Sequence, residues 1–314
     1  MALTIGVDVG GTKVAGGVVD EEGVVLARTR RPTPGSSPRD VEDTIAEVVA
    51  DLRRDHEVAA VGIGAAGFVD LARSTMIFAP NLAWRDEPLR DEVSRRVGLP
   101  VVVENDGNAA AWAEHRFGAG RGQAHLVVLT VGTGIGSGVV LDGALYRGHT
   151  GIGPEYGHMQ VVEDGRRCGC GQRGCWEQYC SGRALVREAR EIADVRPTHG
   201  ARLLELGDGR PEGIEGPEVT RAAREGDPAA AECFERIGHW LGQGLADLTA
   251  LLDPAGFVVG GGVGEAGELL LGPARATLAE RLTGREHRPQ PEVSSASLGN
   301  DAGMVGAADL ARWR

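Results

Sequence analysis

No apolar run in this 314-residue chain approaches the ~18 residues needed to span a bilayer. The opening residues lack the basic stretch and apolar segment of a secretory signal, so cytoplasm is the expected compartment. Positive charge is also in deficit: 33 Lys and Arg face 45 Asp and Glu, a net charge of −12. A surface this acidic repels nucleic acid and anionic membranes, and neither is an expected partner. A nest of backbone amides can still hold an anionic nucleotide locally. The P-loop pattern G-x-x-x-x-G-K-[ST] is missing. Cysteine is scarce, with five residues, and four of them fall between Cys168 and Cys180. In a cytosolic chain such clustering favours a metal site over a disulfide framework.

What is present fits a globular protein, with 42% hydrophobic and 25% charged residues. The length suggests two domains. Glycine is abundant, at 49 residues, and concentrated in short motifs. The patterning predicts strands over Thr4–Val9, Lys13–Val19 and Val24–Arg31, and a helix over Asp40–Asp55 with apolar residues at helical spacing. A strand follows at Val58–Ile63, a helix at 87–97, a strand at Val101–Glu104 and a helix at Asn108–Phe117. Strands are expected again at Leu126–Val131 and Ser137–Leu141. The longest predicted helix spans Ala229–Leu252. Phe257–Val259 and 292–297 read as strands, and a helix starts at Ala302.

The segment from Val9 to Asp20 lies over Val131 to Asp142 without a gap, and five of twelve positions agree. A chance likeness of two glycine-rich hairpins and a duplicated lobe both remain open. In the second reading each copy opens as strand, phosphate-binding turn, strand. Glycine suits such turns because backbone N–H groups must approach phosphate oxygens closely. Thr12 and Thr133 would add hydroxyls. Asp8, at a strand end beside the first turn, either sits in a turn or holds Mg²⁺. Gly62-Ile63-Gly64-Ala65-Ala66-Gly67 fits G-x-G-x-x-G, but no helical period follows, which argues against a dinucleotide fold. These glycines are expected to let backbone approach a small ligand.

Glu104-Asn105-Asp106-Gly107-Asn108 joins a buried strand to a helix. Asp106 or Asn108 either caps that helix or the helix N-terminus aims the Asp106 carboxylate as a base. The helix dipole would favour its ionised form. His158, followed by Cys168, Cys170 and Cys175, makes a complete tetrahedral Zn²⁺ set with no open position, so the zinc is expected to be structural. Cys180 and Cys233 are expected to be packed and inert. Glu155 and Glu177 bracket the site as solvated acids or as acceptors for sugar hydroxyls. The free ring nitrogen of His158 offers the same.

These segments resemble the ROK family of sugar kinases, and within it the bacterial glucokinases. Asp8-Val9-Gly10-Gly11-Thr12-Lys13 is similar to its first phosphate motif, and Gly132-Thr133-Gly134 to its second. Glu104–Ala110 is similar to the segment carrying its base, and Glu155–His158 with Cys168–Glu177 to its signature and zinc loop. The resemblance implies an actin-like, ribonuclease-H-like fold of two α/β domains with a cleft between them. The expected division is 1–112 plus 300–314, and 113–299. It implies ATP-dependent, Mg²⁺-assisted phosphorylation of glucose with Asp106 as base. It also implies a sugar site of Gly67, Asn81, Asn105, Asp106, Glu155, His158 and Glu177. The ATP site would comprise the two phosphate motifs, with adenosine near Gly260, Gly261 and Gly262, in a homodimer or homotetramer. Ala66 departs from the family, where many members have Pro. Only seven residues precede Asp8, so the DNA-binding segment of the family's repressors is expected to be missing. The alternatives are another hexose or N-acetylhexosamine, inorganic polyphosphate as donor, and a non-catalytic sugar sensor.

Overall fold

A computed structural model of the chain describes residues 3–35 and 37–313. The first sheet begins with three strands in succession, β1 (Leu3–Val9), β2 (Lys13–Val19) and β3 (Val25–Pro32). Helix α1 (Pro38–Leu52) follows. It buries Val41, Ile45, Val48, Val49 and Leu52, and Ser37 caps it by accepting from the Asp40 amide. The apolar stripe ends at Leu52, so the helix stops three residues short of the predicted Asp55.

Strand β4 (Val58–Ala65) leads into three short strands, β5 (Phe68–Val69), β6 (Met76–Phe78) and β7 (Arg85–Glu87). No helix follows the Gly62–Gly67 turn, as expected. Helix α2 (Leu89–Val97), strand β8 (Val101–Asn105) and helix α3 (Asp106–Phe117) come next. A second hairpin follows, β9 (Leu126–Val131) and β10 (Ile135–Leu141), with β11 (Ala144–Tyr146). The remaining elements are α4 (Glu177–Cys180), α5 (Gly182–Val195), α6 (Ala201–Leu206), α7 (Gly216–Arg224), α8 (Pro228–Leu252), β12 (Gly256–Gly260), α9 (Gly261–Gly264), α10 (Glu268–Arg281), β13 (Glu292–Ser295) and α11 (Ala302–Leu310).

The first five-stranded sheet has the order β3-β2-β1-β4-β8, and the second β11-β10-β9-β12-β13. Each places its glycine hairpin in the same way, with β9 standing where β1 stands and β12 where β4 stands. This matching order favours the duplicated-lobe reading of the sequence repeat. In the first sheet β1 pairs antiparallel with β2 and parallel with β4. Helix α11 lies directly on the backbone of β1 and β4. A Cβ on Gly6 would fall 1.9 Å from the Met304 carbonyl oxygen, and one on Gly62 1.7 Å from that of Ala307. Any larger residue at either position would push the helix away.

By contact density the chain divides into one unit of 1–128, 137–154 and 297–314, and another of 129–136 and 155–296. The core of the first gathers Ile5, Val7, Ile45, Ile63, Trp84 and Leu89. In the second, α8 packs along α10. Among the described residues no helix is long and apolar enough to cross a membrane.

Candidate active site and metal centre

In the first unit the turn between β1 and β2 is closed by the Gly10 amide donating to the Lys13 carbonyl at 2.9 Å. The Thr33 hydroxyl adds a bond to the Gly10 carbonyl at 2.7 Å. Gly11, Thr12 and Lys13 are exposed at the tip. Asn81 lies against this turn: a Cβ on Gly11 would sit 3.3 Å from the Asn81 Cβ.

The cap of α3 is neither Asp106 nor Asn108 but Asn105. Its Oδ1 accepts from the Asn108 amide at 3.0 Å, and its Nδ2 donates to the Gly67 carbonyl at 3.0 Å. The helix therefore starts at Asp106 rather than at the predicted Asn108. With the capping role taken by Asn105, the Asp106 carboxylate accepts a 2.9 Å bond from the Gly107 amide. Burial raises its pKa, and the helix amides pull it back only in part. Desolvation outweighs the helix amides, which still pull toward the ionised form. Asp8 is raised to about 6, first by burial and then by the negative charge of Asp106, with Lys13 opposing. A half-buried carboxylate pair that disfavours its own ionisation is the electrostatic setting a divalent cation relieves, and Asp8 fits Mg²⁺ in that sense.

The strand–helix junction rests on a group that sequence reasoning missed. The buried Glu104 accepts from the Asn105 amide at 2.9 Å and from the Asn108 side chain at 3.2 Å. Its Oε2 pairs with Arg73 and Arg147, both at 2.9 Å. Arg147 also donates to the carbonyls of Leu71 and Asp70, each at 2.9 Å. Nothing local in the sequence signals these arginines.

In the second unit His158, Cys168, Cys170 and Cys175 bring their ligand atoms within 4.8 Å of one another. Cys168 Sγ lies 3.6 Å from His158 Nδ1, and Cys170 Sγ 3.6 Å from Cys175 Sγ. Zinc–sulfur bonds of about 2.3 Å give tetrahedral edges of about 3.8 Å. The donor set and its spacing therefore fit Zn²⁺. Cys180 and Cys233 are buried, and burial raises both thiols, Cys233 to about 12. That agrees with inert packing.

The metal loop also braces the second glycine turn. Glu177 Oε1 lies 3.1 Å from Cys168 Sγ, while a Cβ on Gly134 would fall 2.4 Å from Glu177 Oε2. The Gly182 amide donates to the Gly132 carbonyl at 2.7 Å, fixing the start of α5 to the turn. Gly157, in the short turn from Tyr156 to His158, abuts the Ile135 backbone. Glu155 precedes that turn, and its carbonyl accepts from the His158 amide at 3.1 Å. Gly261 has φ +83°, which brings it against the end of β9. Gly132, Thr133 and Gly262 line one cavity of about 1370 Å³, whose other walls are α5 and α7.

The sequence profile of the ROK family matches residues 4–314. The chain belongs to the ROK family. This ROK chain is 54% identical over 312 residues to a glucokinase of Streptomyces coelicolor, covering 99% of the chain and 98% of the relative. It is 38% identical to a glucokinase of Thermotoga maritima over 99% and 97% of the two chains. A solved ROK family glucokinase of Streptomyces griseus, in complex with glucose and AMPPNP, superposes with a TM-score of 0.90 at 54% identity, covering 99% and 100%. The fold of the ROK chain is the actin-like, ribonuclease-H-like one.

Among the site residues predicted for this ROK chain, Asp8, the Gly10–Lys13 turn, Gly67, Asn81, Asn105 and Asp106 fall in the first unit. Gly132, Thr133, Gly134, Glu155, His158, Glu177 and Gly260–Gly262 fall in the second. Sequence reasoning missed the arginines of the cavity wall. Three of them, Arg183, Arg187 and Arg190, recur at i, i+4 and i+7 on α5, a spacing that could have revealed a single basic helix face.

Proposed function

We propose that the protein is a glucokinase, transferring the γ-phosphate of ATP to the 6-hydroxyl of glucose. The observation that carries this reading is the full-length likeness to the Streptomyces glucokinases, one of them with glucose and AMPPNP bound. Asp106, freed from capping by Asn105, accepts the proton of the attacking hydroxyl. The transition state is loose, so the proton leaves late and a carboxylate is a strong enough base. Backbone amides of the Gly10–Thr12 and Gly132–Gly134 turns take phosphate oxygens, and the Thr12 and Thr133 hydroxyls add to them. Asp8 is the residue that would hold Mg²⁺, which supplies charge neutralisation on the phosphates.

The proposed sugar contacts, carried over from the family resemblance, are Gly67, Asn81, Asn105, Asp106, Glu155, His158 and Glu177. His158 meets the cysteines through Nδ1, which leaves Nε2 for a hydroxyl. His158, Cys168, Cys170 and Cys175 would hold Zn²⁺, and four protein ligands make that ion structural. Its role is to keep Glu177 and the second turn in place. Adenosine is assigned to the cavity beside Gly260–Gly262. The net charge of −12 argues against a nucleic-acid partner, and a cytoplasmic homodimer or homotetramer is proposed from the family resemblance.

The test is a coupled ADP-release assay with glucose, mannose, fructose and N-acetylmannosamine, and with inorganic polyphosphate in place of ATP. Glucose with ATP is expected to give the highest kcat/KM. A higher value for another sugar or donor, or no glucose-dependent ADP release, refutes the assignment.

A further inference from the structure

Many arginines of this acidic chain pair with carboxylates. Arg236, for example, pairs with Glu188 at 2.9 Å and Glu232 at 2.7 Å, and Arg96 with Glu42 at 2.8 Å. The walls of the cavity beside Gly132 and Thr133 break that pattern. Arg183, Arg187 and Arg190 from α5 and Arg221 and Arg224 from α7 all line it. None of the five makes an ion pair among the described residues.

Three of them have their guanidinium groups tied to main-chain oxygens. Arg190 donates to the Ile214 carbonyl at 3.0 Å, Arg224 to that of Glu265 at 2.9 Å, and Arg187 to that of Gln178. A carbonyl fixes a guanidinium in place without cancelling its charge. The side chains of Arg183 and Arg221 have no hydrogen bond among the described residues, and both residues are exposed where they line the cavity. Arg183 follows Gly182, whose amide is bonded to the Gly132 carbonyl at 2.7 Å, so its stem is anchored to the second glycine turn. Leu185, Val186 and Val263 supply an apolar surface in the same cavity.

We infer that Arg183 and Arg221 are the cations that hold the phosphate chain of a nucleoside triphosphate in this cavity, and that donor affinity here is set by them. The inference rests on the ATP-dependent reading given above. Five guanidinium groups without a carboxylate partner line this cavity against two carboxylates, Glu225, which pairs with Arg202 at 2.9 Å, and Glu265, so in a chain of net charge −12 the excess here is positive and concentrates an anion. Two of the five are free to swing onto phosphate oxygens, and guanidinium meets phosphate in a two-pronged geometry.

The experiment is calorimetric titration of the zinc-loaded full chain with MgATP and with inorganic triphosphate, alongside steady-state kinetics. Arg183→Ala is expected to weaken ATP binding about 10-fold, and Arg183→Lys less. Arg221→Ala should act in the same direction, and the double variant should lose competition by inorganic triphosphate. KM for glucose should stay within about 2-fold. Circular dichroism and zinc content verify that the variants are folded. ATP affinity within 2-fold of the parent in both alanine variants overturns the inference, as does failure of inorganic triphosphate to compete in the parent. A parent that binds ATP but does not phosphorylate glucose refutes the kinase assignment alone, because the binding titrations still decide the arginine roles.

Discussion

Replacing Arg147 by Met should show how far the base depends on a group that never touches substrate. Arg147 and Glu104 are 6% and 1% exposed, so the pair is shielded from water. Breaking such a pair from one side costs about 3–5 kcal/mol, because the remaining carboxylate is stranded. Arg73 retains its 2.9 Å contact to Glu104 and holds the loss near the lower end. The carbonyls of Leu71 and Asp70 each lose a donor, worth roughly 1 kcal/mol apiece. The sum is about 5 kcal/mol, which for a unit of this size is a fall in Tm of roughly 10–20 °C.

The kinetic consequence is separate. Glu104 holds the Asn105 amide and the Asn108 side chain, and Asn105 caps the helix that Asp106 begins. Relaxation there should misplace the carboxylate and lower kcat by about 10- to 100-fold, measured well below the variant's own melting temperature. KM for ATP should change little. Differential scanning fluorimetry and the coupled ADP assay read both effects. A Tm within 2 °C of the parent together with kcat within 2-fold would refute the reasoning.

Metal analysis should find one zinc per chain. Chelation should raise KM for ATP as well as for glucose, since Glu177 and the metal loop brace the Gly132–Gly134 turn; an unchanged ATP KM after zinc removal contradicts that. The acid limb of kcat/KM should lie above the ordinary carboxylate range, because burial raises Asp106 and holds Asp8 at about 6. A limb near pH 4 would show that the pair ionises as in water. Glu42 is raised to about 7, first by burial, then by Glu87, against the pull of Arg96. A carboxyl with a raised folded pKa stabilises the fold fully below its unfolded value of 4.5, and that contribution is lost as pH rises through 7. Glu42→Gln should therefore raise Tm more at pH 8 than at pH 5, and an equal change at both refutes the assignment.

Much of the fold was legible because its signals are local. The Gly10–Thr12 and Gly132–Gly134 turns, the apolar stripe of α1 and the Cys168–Cys175 spacing each sit within a few residues. The repeat between Val9 and Val131 anticipated two sheets of matching order. Four features were hidden. The short strands β5–β7 carry too few residues for a period to show. The start of α3 was misread because Asp106 and Asn108 were the caps weighed, whereas Asn105, the last residue of β8, accepts from the Asn108 amide. The Glu104–Arg147 pair joins residues 43 apart, and only tertiary packing makes them neighbours. The arginine wall likewise draws on two helices whose separate spacings say nothing about a shared cavity.

The central claim is that Asp106 takes the proton from the glucose 6-hydroxyl. The most direct measurement compares Asp106→Asn with the parent in single-turnover formation of glucose 6-phosphate, with glucose binding followed by calorimetry. The expected result is a glucose Kd within a few-fold of the parent and a rate lower by at least ~10²-fold. A variant that forms glucose 6-phosphate at near the parental rate contradicts the account.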